Sequence, residues 1–444
     1  MVIKADVKKV FNWGRYPVVE ARVFESDFIK DYQELLPLES GLIPRGNGRS
    51  YGDASLSKCI LSSLKMDKLL SFDQEEGVLE AQSGVLLSKI ISFILPKGYF
   101  LPVTPGTQWV TLGGAVAADV HGKNHHKEGS FGRHVLSIKL MRGNGELVNC
   151  SREENEELFF QTIGGMGLTG FMLSVKFRLK KVETAYIKEQ RIKAANLEEI
   201  FTLFEQSADY TYSVAWIDCL QKGLGLGRSI LMRGEHAKQN ELPAKYRENP
   251  LKIPRKQVFR LPFYLPGFVL NNFTARIFNA LYYGKQRKQA VKCITPLNTF
   301  FYPLDVMKDW NRCYGKSGFV QYQFVLPKAK SYEGMRRALD ILRQRHLGSF
   351  LAVLKLFGKG SREFPYSFPM EGYTLALDIK YSPRIRETIS LLDQLVEEFE
   401  GRLYLAKDAL SKASLLPSIQ NDQKFTSFQF ERLQNGDTDT GRDL

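Results

Sequence analysis

The chain has 444 residues, 43% hydrophobic and 25% charged. This is ordinary globular composition and excludes a disordered, collagenous or coiled-coil protein. Its 62 Lys and Arg against 48 Asp and Glu leave a net charge of +14, which favours an anionic partner: nucleic acid, an acidic lipid surface or a phosphorylated substrate. The length suits two or three domains. The cysteines (Cys59, Cys150, Cys219, Cys293 and Cys313) are scattered, with no CxxC pair, so disulfide frameworks and zinc ribbons are not expected.

The opening residues MVIKADVKKVFNWG contain no apolar signal-peptide core. No later apolar run is long enough to span a bilayer. A cytoplasmic location is the expectation. Residues 41–44 read as a strand running into a glycine loop, and 79–84 and 137–142 as further strands. Residues 86–95 put apolar side chains on one helical face, closed by Pro96 and Gly98. Residues 173–182 alternate apolar and basic residues, as an antiparallel strand with one wet face does. After Val182 the glycine clusters thin out. Helical patterns follow at 197–204 and 332–346, and an aromatic-rich strand at 318–326. Strands and helices mix without a βαβ rhythm, so the fold class is α+β. Residues 255–288 are apolar and aromatic in the middle (Phe259, Phe263, Phe268, Phe273), with basic flanks at Arg255, Lys256, Arg260, Lys285, Arg287 and Lys288. Pro262 and Pro266 interrupt this segment, which predicts a mobile loop or short helices.

Three glycine-rich clusters carry the chemistry. PRGNGRSYGDASL places Gly46, Gly48 and Gly52 after a strand, with Arg45 and Arg49 between them. Such a loop can close backbone N–H groups on a phosphate, although a plain surface turn has the same composition. Its GxGxxxG spacing departs from the dinucleotide fingerprint GxGxxG. In the second cluster, residues 104–135, Thr111 to Gly114 open an alanine-rich helix whose N-terminus can hold a pyrophosphate. Tight helix packing would explain the alanines equally well. His121 and His125 have helical spacing for two metal ligands, but no acidic third ligand follows, and no metal is expected. The third cluster, IGGMGLTGFM, again presses backbone close to something. Together the three loops suit an extended dinucleotide.

The motifs RGNGRSYGD, LGGAVAADVHGKNHH, GSFGRHV, GGMGLTG, GFVQYQFVLP and YLAKDALSKA, spread over nearly the whole chain, resemble the vanillyl-alcohol-oxidase (PCMH-type) flavoproteins. Within them the resemblance is to the decaprenylphosphoryl-β-D-ribose 2-oxidase group. It implies an FAD domain made of residues 1–182, with 403–444 returning to it, and a substrate domain of 183–402 with an antiparallel sheet and covering helices. It implies FAD held by Pro44, Arg45, Gly46, Asn47, Gly48, Arg49, Ser50, Tyr51, Gly52, Asp53 and Ala54. Gly106, Thr111, Leu112, Gly113, Gly114, Ala118, Asp119, Val120, His121, Gly170, Phe171 and Tyr404 complete that cradle. Many relatives tether FAD to a histidine where this chain has Arg49, so non-covalent FAD is expected.

The implied reaction is hydride transfer from C2 of a polyprenyl-phosphate-linked pentose to flavin N5. It forms the first half of an epimerisation in cell-envelope polysaccharide synthesis. Lys407 is the first choice for the group that takes the proton, with Tyr51, His121 and Lys123 beside it and Gln321, Gln323, Lys355 and Ala376 at the substrate. Ala376 stands where mycobacterial members have a cysteine attacked by covalent inhibitors. An NAD(P)H-dependent short-chain reductase is the implied partner, with peripheral contact to the inner face of the plasma membrane. Two other readings stay open: an oxidase of a soluble sugar or alditol, and a basic nucleic-acid-binding protein. No RRM, KH or helix-turn-helix signature supports the latter.

Overall fold

In the computed structural model, residues 3–254, 258–411 and 419–435 are described. The basic flanks Arg255 and Lys256 and the last two residues of the YLAKDALSKA motif lie outside them. The first sheet is mixed and has the order β1-β2-β4-β3, from β1 (Asp6–Phe11), β2 (Val18–Glu25), β3 (Leu42–Arg45) and β4 (Cys59–Ser62). The second is antiparallel, β5-β6-β10-β8-β9, from β5 (Leu69–Asp73), β6 (Val78–Gln82), β8 (Val135–Met141), β9 (Leu147–Ser151) and β10 (Phe171–Arg178). A short pair joins β7 (Tyr99–Phe100) to β11 (Lys180–Lys181).

The third sheet has eight antiparallel strands in the order β16-β12-β14-β13-β19-β20-β18-β21. These are β12 (Tyr186–Ala194), β13 (Tyr212–Ile217), β14 (Ser229–His236), β16 (Ala290–Pro296), β18 (Phe319–Pro327), β19 (Ala352–Phe357), β20 (Gly372–Lys380) and β21 (Arg402–Leu403). A second short pair joins β15 (Phe259–Arg260) to β17 (Met307–Lys308).

The large sheet has two unlike faces because side chains alternate along each strand. One face packs Tyr322, Phe324, Leu354 and Leu375 against the helices Leu197–Glu205, Ser331–Gln344 and Ile385–Glu398. The helices' apolar stripes bury Ile200, Leu339 and Leu392 in that core. The opposite face carries Gln321, Gln323, Lys355, Trp216 and Met232 and lines a cavity. The second sheet builds its own core with the helix Leu87–Ile94, whose Leu87, Ile90, Ile91 and Ile94 are buried.

The chain's end ties these layers together. Leu403 pairs with Phe324 at the edge of the large sheet. Tyr404, Ala406 and Lys407 then stand on the cavity wall, and Tyr51 N–H donates to the Ala406 carbonyl at 3.0 Å. Further on, Leu42 and Thr426 N–H groups bond the carbonyls of Lys424 and Leu42 beside the first sheet. Arg432 reaches Asp53 (3.1 Å) and Asp408 (2.6 Å), a triad almost wholly withdrawn from water. Removing one partner of such a buried set costs about 3–5 kcal/mol, so the triad clips the C-terminal segment onto the loop after β3.

Three expectations need correction. The strand expected over 173–182 runs Phe171–Arg178, and its wet face is limited to Lys176 and Arg178, because Leu173 and Ser174 are covered by neighbouring layers. The alanine-rich helix ends at Ala117, and Asp119 has left it with φ +37°. The segment 255–288 contains a fourteen-residue helix, Asn272–Lys285. Both prolines lie upstream of it, and the Asn271 side chain caps it by accepting from the Phe273 and Thr274 N–H groups.

Candidate active site

A cavity of about 1090 Å³ lies between the glycine loops and the free face of the large sheet. Ligand pockets run to about 300–1,000 Å³, so this one has room for a large cofactor and a substrate together. All of Pro44–Tyr51, with Ala54, Gly106, Thr111, Gly113, Gly114, Ala118, Val120, His121, Phe171 and Tyr404, stand on its wall. Lys123, Gln321, Gln323, Lys355, Ala376 and Lys407 stand there too.

Five residues expected at the cofactor lie off that wall. Gly52 is where the loop meets the C-terminal segment: a Cβ there would sit 1.9 Å from the Asp408 carbonyl oxygen. Asp53 belongs to the Arg432 triad. Leu112 is core. Asp119 accepts from Ser130 Oγ, Gly132 N–H and Ser367 Oγ, and so pins loops behind the wall. Gly170 lets the chain pass the Met141 carbonyl oxygen, 2.7 Å from its would-be Cβ. The helix Leu112–Ala117 also offers no free end to a pyrophosphate. Its Leu112, Gly113 and Gly114 N–H groups already donate to Val85 O, Ser83 O and Thr111 Oγ1.

The donors left over point elsewhere. Arg45 Nε, Arg49 Nε and Ser83 Oγ are buried without a hydrogen-bond partner, and all three residues line the cavity. Buried polar atoms are rarely left so. Arg45 anchors one guanidinium nitrogen on the Phe11 carbonyl at 2.8 Å, and Arg49 lies over the Trp13 ring at 4.1 Å. Burial pulls Arg45 down to about 10 and lowers Arg49 as well. A Cβ added at Gly106 would meet no protein atom within 4 Å. These features fit a large polar ligand such as FAD, whose phosphates the two arginines would hold.

At the sheet end the side chains interlock. His121 lies 3.0 Å from Gln323 Nε2 through its own Nε2, and 3.3 Å from Lys355 Nζ through Nδ1. Burial, then Lys355, holds the imidazole well below its usual range, so it is neutral. A lysine donating to Nδ1 requires the ring proton on Nε2, and the Gln323 amide accepts that proton when its oxygen faces the ring. Phe357 packs edge-on to His121 at 4.7 Å. Tyr404 stacks on Phe368 at 4.8 Å and donates its hydroxyl to the Ala118 carbonyl.

Lys407 Nζ sits 3.8 Å over the Tyr51 ring. Burial lowers its pKa, Asp378 opposes that fall, and Lys355 adds to it. Lys355 falls to about 8 through burial, and Lys123 to about 7 through burial and then Lys355. The Lys123 ammonium donates to the Phe300 carbonyl.

Asp378 was not foreseen. It is the cross-strand partner of Gln321, whose amide donates to its Oδ1, while Oδ2 is buried without a partner. It follows Ala376 by one strand period in YTLALD, and that spacing alone places both on one face. On the cavity wall itself, Trp216, Glu189 and Arg191 had no sequence signal beyond strand alternation.

Comparison with known proteins fits this geometry. Residues 39–151 match the FAD binding domain family. The chain is 37% identical to decaprenylphosphoryl-β-D-ribose oxidase of Mycolicibacterium smegmatis, over 96% of this chain and 97% of that one. It is 30% identical to an uncharacterized Streptomyces coelicolor protein, over 76% of this chain and 92% of that one. Bovine L-gulonolactone oxidase is 25% identical over 38% of this chain and 39% of its own. Fold, cavity and comparisons define an FAD-dependent oxidoreductase of the PCMH type. Within that class the chain belongs to the decaprenylphosphoryl-β-D-ribose oxidase family.

Proposed function

We propose that the protein oxidises the C2 hydroxyl of a polyprenyl-phosphate-linked pentose to a 2-keto sugar, the first half of an epimerisation in cell-envelope polysaccharide synthesis. The observation that carries this reading is the end-to-end match to a relative named for that substrate. FAD, when bound, supplies the hydride acceptor. The chain's own residues do the rest. Gln321 and Gln323 present amides to the sugar from β18, and neutral His121 is held in one orientation by Gln323 and Lys355. Lys407, desolvated beside Tyr51, takes the hydroxyl proton at Nζ. A 2-keto product requires a following reduction, so an NAD(P)H-dependent short-chain reductase is the proposed partner.

Peripheral membrane contact is part of the same reading. Among the described residues no helix is long and apolar enough to cross a membrane. The helix Asn272–Lys285 instead turns Phe273, Ile277 and Leu281 outward, and Phe268, 78% exposed, precedes it. Arg260, Arg276, Lys285, Arg287 and Lys288 surround this apolar face and are exposed. Apolar side chains ringed by basic ones suit an anionic lipid surface.

The test is anaerobic mixing of the yellow enzyme with polyprenyl-phosphate pentoses, free pentoses and alditols. Bleaching of the flavin by the lipid-linked pentose is expected. Faster bleaching by a soluble sugar or alditol would refute the substrate assignment.

A further inference from the structure

The loop that carries Gly106 is held from outside itself. Thr104, Pro105, Gly106 and Thr107 all stand on the cavity wall. Among the described residues, no main-chain hydrogen bond links residues 104–107 to another main-chain group. Further along, Ser88 N–H donates to the Gln108 carbonyl and Leu87 N–H to the Val110 carbonyl, so the loop is fixed from residue 108 on. The residues before that are set by side-chain contacts.

Those contacts come from one segment, residues 302–311, in the connection from β16 to β18. The Tyr302 hydroxyl lies 2.6 Å from Thr104 Oγ1 in a buried contact. Asp305 Oδ1 accepts from Thr107 Oγ1 at 2.7 Å, and Oδ2 accepts from Gln108 N–H at 2.9 Å. The Thr107 hydroxyl also accepts from Trp109 N–H at 3.3 Å, so it serves as donor and acceptor at once. Tyr302 and Asp305 thus grip the loop on both sides of Gly106, where an added Cβ would meet nothing. Further along the same segment, Asn311 Nδ2 donates to the Trp13 carbonyl at 3.0 Å, and Trp310 packs edge-on to Trp13 at 5.6 Å. The other contact of that Trp13 ring is Arg49 of the first glycine loop. One segment therefore reaches both loops.

We infer that Asp305 is a positioning residue for FAD, acting through the Thr104–Gln108 loop, with Tyr302 as its second point. Together they hold Gly106 and Thr107 against the cofactor. Burial pushes the Asp305 carboxyl up, and the Gln108 N–H, the Thr107 hydroxyl and Arg49 oppose that rise. Hydrogen bonds to an ionised carboxylate are roughly twice as strong as neutral ones, so Asp305 is the main grip. A loop without main-chain bonds opens locally once its side-chain grips are cut, and the bound cofactor then leaves faster. This role needs FAD as the cofactor and holds whichever sugar is oxidised.

The experiment follows release of FAD from the loaded enzyme after dilution, by ultrafiltration at timed intervals and the absorbance of free flavin. Asp305→Ala is expected to release FAD about tenfold faster than the parent, or more. Asp305→Asn keeps an acceptor for Thr107 but turns an amide toward the Gln108 N–H, so its rate should fall between the two. Tyr302→Phe removes only the hydroxyl and should speed release about threefold or more. Thr107→Val should speed release in the parent but add less than about twofold to Asp305→Ala, because both remove one contact. Asp393→Asn is the control. That carboxylate accepts from Tyr322 on the helix-covered face of the large sheet, so the variant should melt earlier with parent-like release. Parent-like release in Asp305→Asn and Tyr302→Phe, the mildest changes, would overturn the role even if Asp305→Ala does not fold. Equal acceleration by Asp393→Asn would also overturn it, by marking a general loss of stability, and so would full additivity of Thr107→Val with Asp305→Ala.

Discussion

Replacing Asp378 by Asn removes the carboxylate that acts electrostatically on Lys407 and keeps the side chain's shape. Four groups face the Lys407 ammonium: Tyr51 from the loop after β3, His121 from the second glycine cluster, Lys355 from β19 and Asp378 from β20. Burial and Lys355 lower the lysine, and only the Asp378 carboxylate opposes them, which leaves Lys407 at about 7. An opposite charge at such range moves a pKa by about 1–3 units. Asp378 is itself pushed up to about 7 by burial, and without its charge Lys407 should fall further.

The sign follows directly. A base is active when neutral, so the acid limb of kcat/KM should move down by about 1–3 pH units. The ammonium formed on accepting the proton is also less stabilised, by about 1.4 kcal/mol per unit. The plateau rate should therefore drop by roughly 10-fold or more. Stopped-flow flavin reduction across pH 4.5–9 reads both, and Asp378→Glu should recover part of the limb's position. An acid limb that stays near neutrality in Asp378→Asn would refute the coupling.

Three further outcomes are expected. With Arg49 stacked on Trp13 and no histidine in its place, acid precipitation should release all the flavin, and a yellow pellet would contradict this. Gly52→Ala drives a Cβ into the Asp408 carbonyl, a backbone clash of the kind that costs about 1–3 kcal/mol. It should lower the melting temperature and the flavin content together, while the same substitution at the open Gly223 should leave the flavin content alone. Liposome flotation should require anionic lipid and weaken with salt, and replacing Phe273, Ile277 and Leu281 by serine should abolish it.

The strands of the glycine-loop half were legible because apolar alternation and glycine punctuation coincide there. The Leu87–Ile94 helix was legible for similar reasons, whereas the glutamines of β18 came from the family resemblance alone. The helix Asn272–Lys285 was hidden by a composition argument: Pro262 and Pro266 forbid helix only around themselves, and Asn271 restarts one. Two of the glycines have a second reason to be small. Gly52 and Gly170 are small because protein backbone approaches them, and sequence cannot distinguish that from approach by a ligand. Asp53 and Asp119 sit in loops that resemble binding loops but are held by Arg432 and by Ser130 and Ser367. Asp378 escaped because strand spacing puts it on the face of Ala376 but does not show that its carboxylate meets Gln321 until β20 is registered against β18.

The most direct measurement of the central claim is the rate of anaerobic flavin bleaching with lipid-linked pentose deuterated at C2, beside substrate deuterated at C1 or C3. The account predicts slowed bleaching for the C2 label alone, and slowing at another carbon, or at none while chemistry limits the rate, would contradict it.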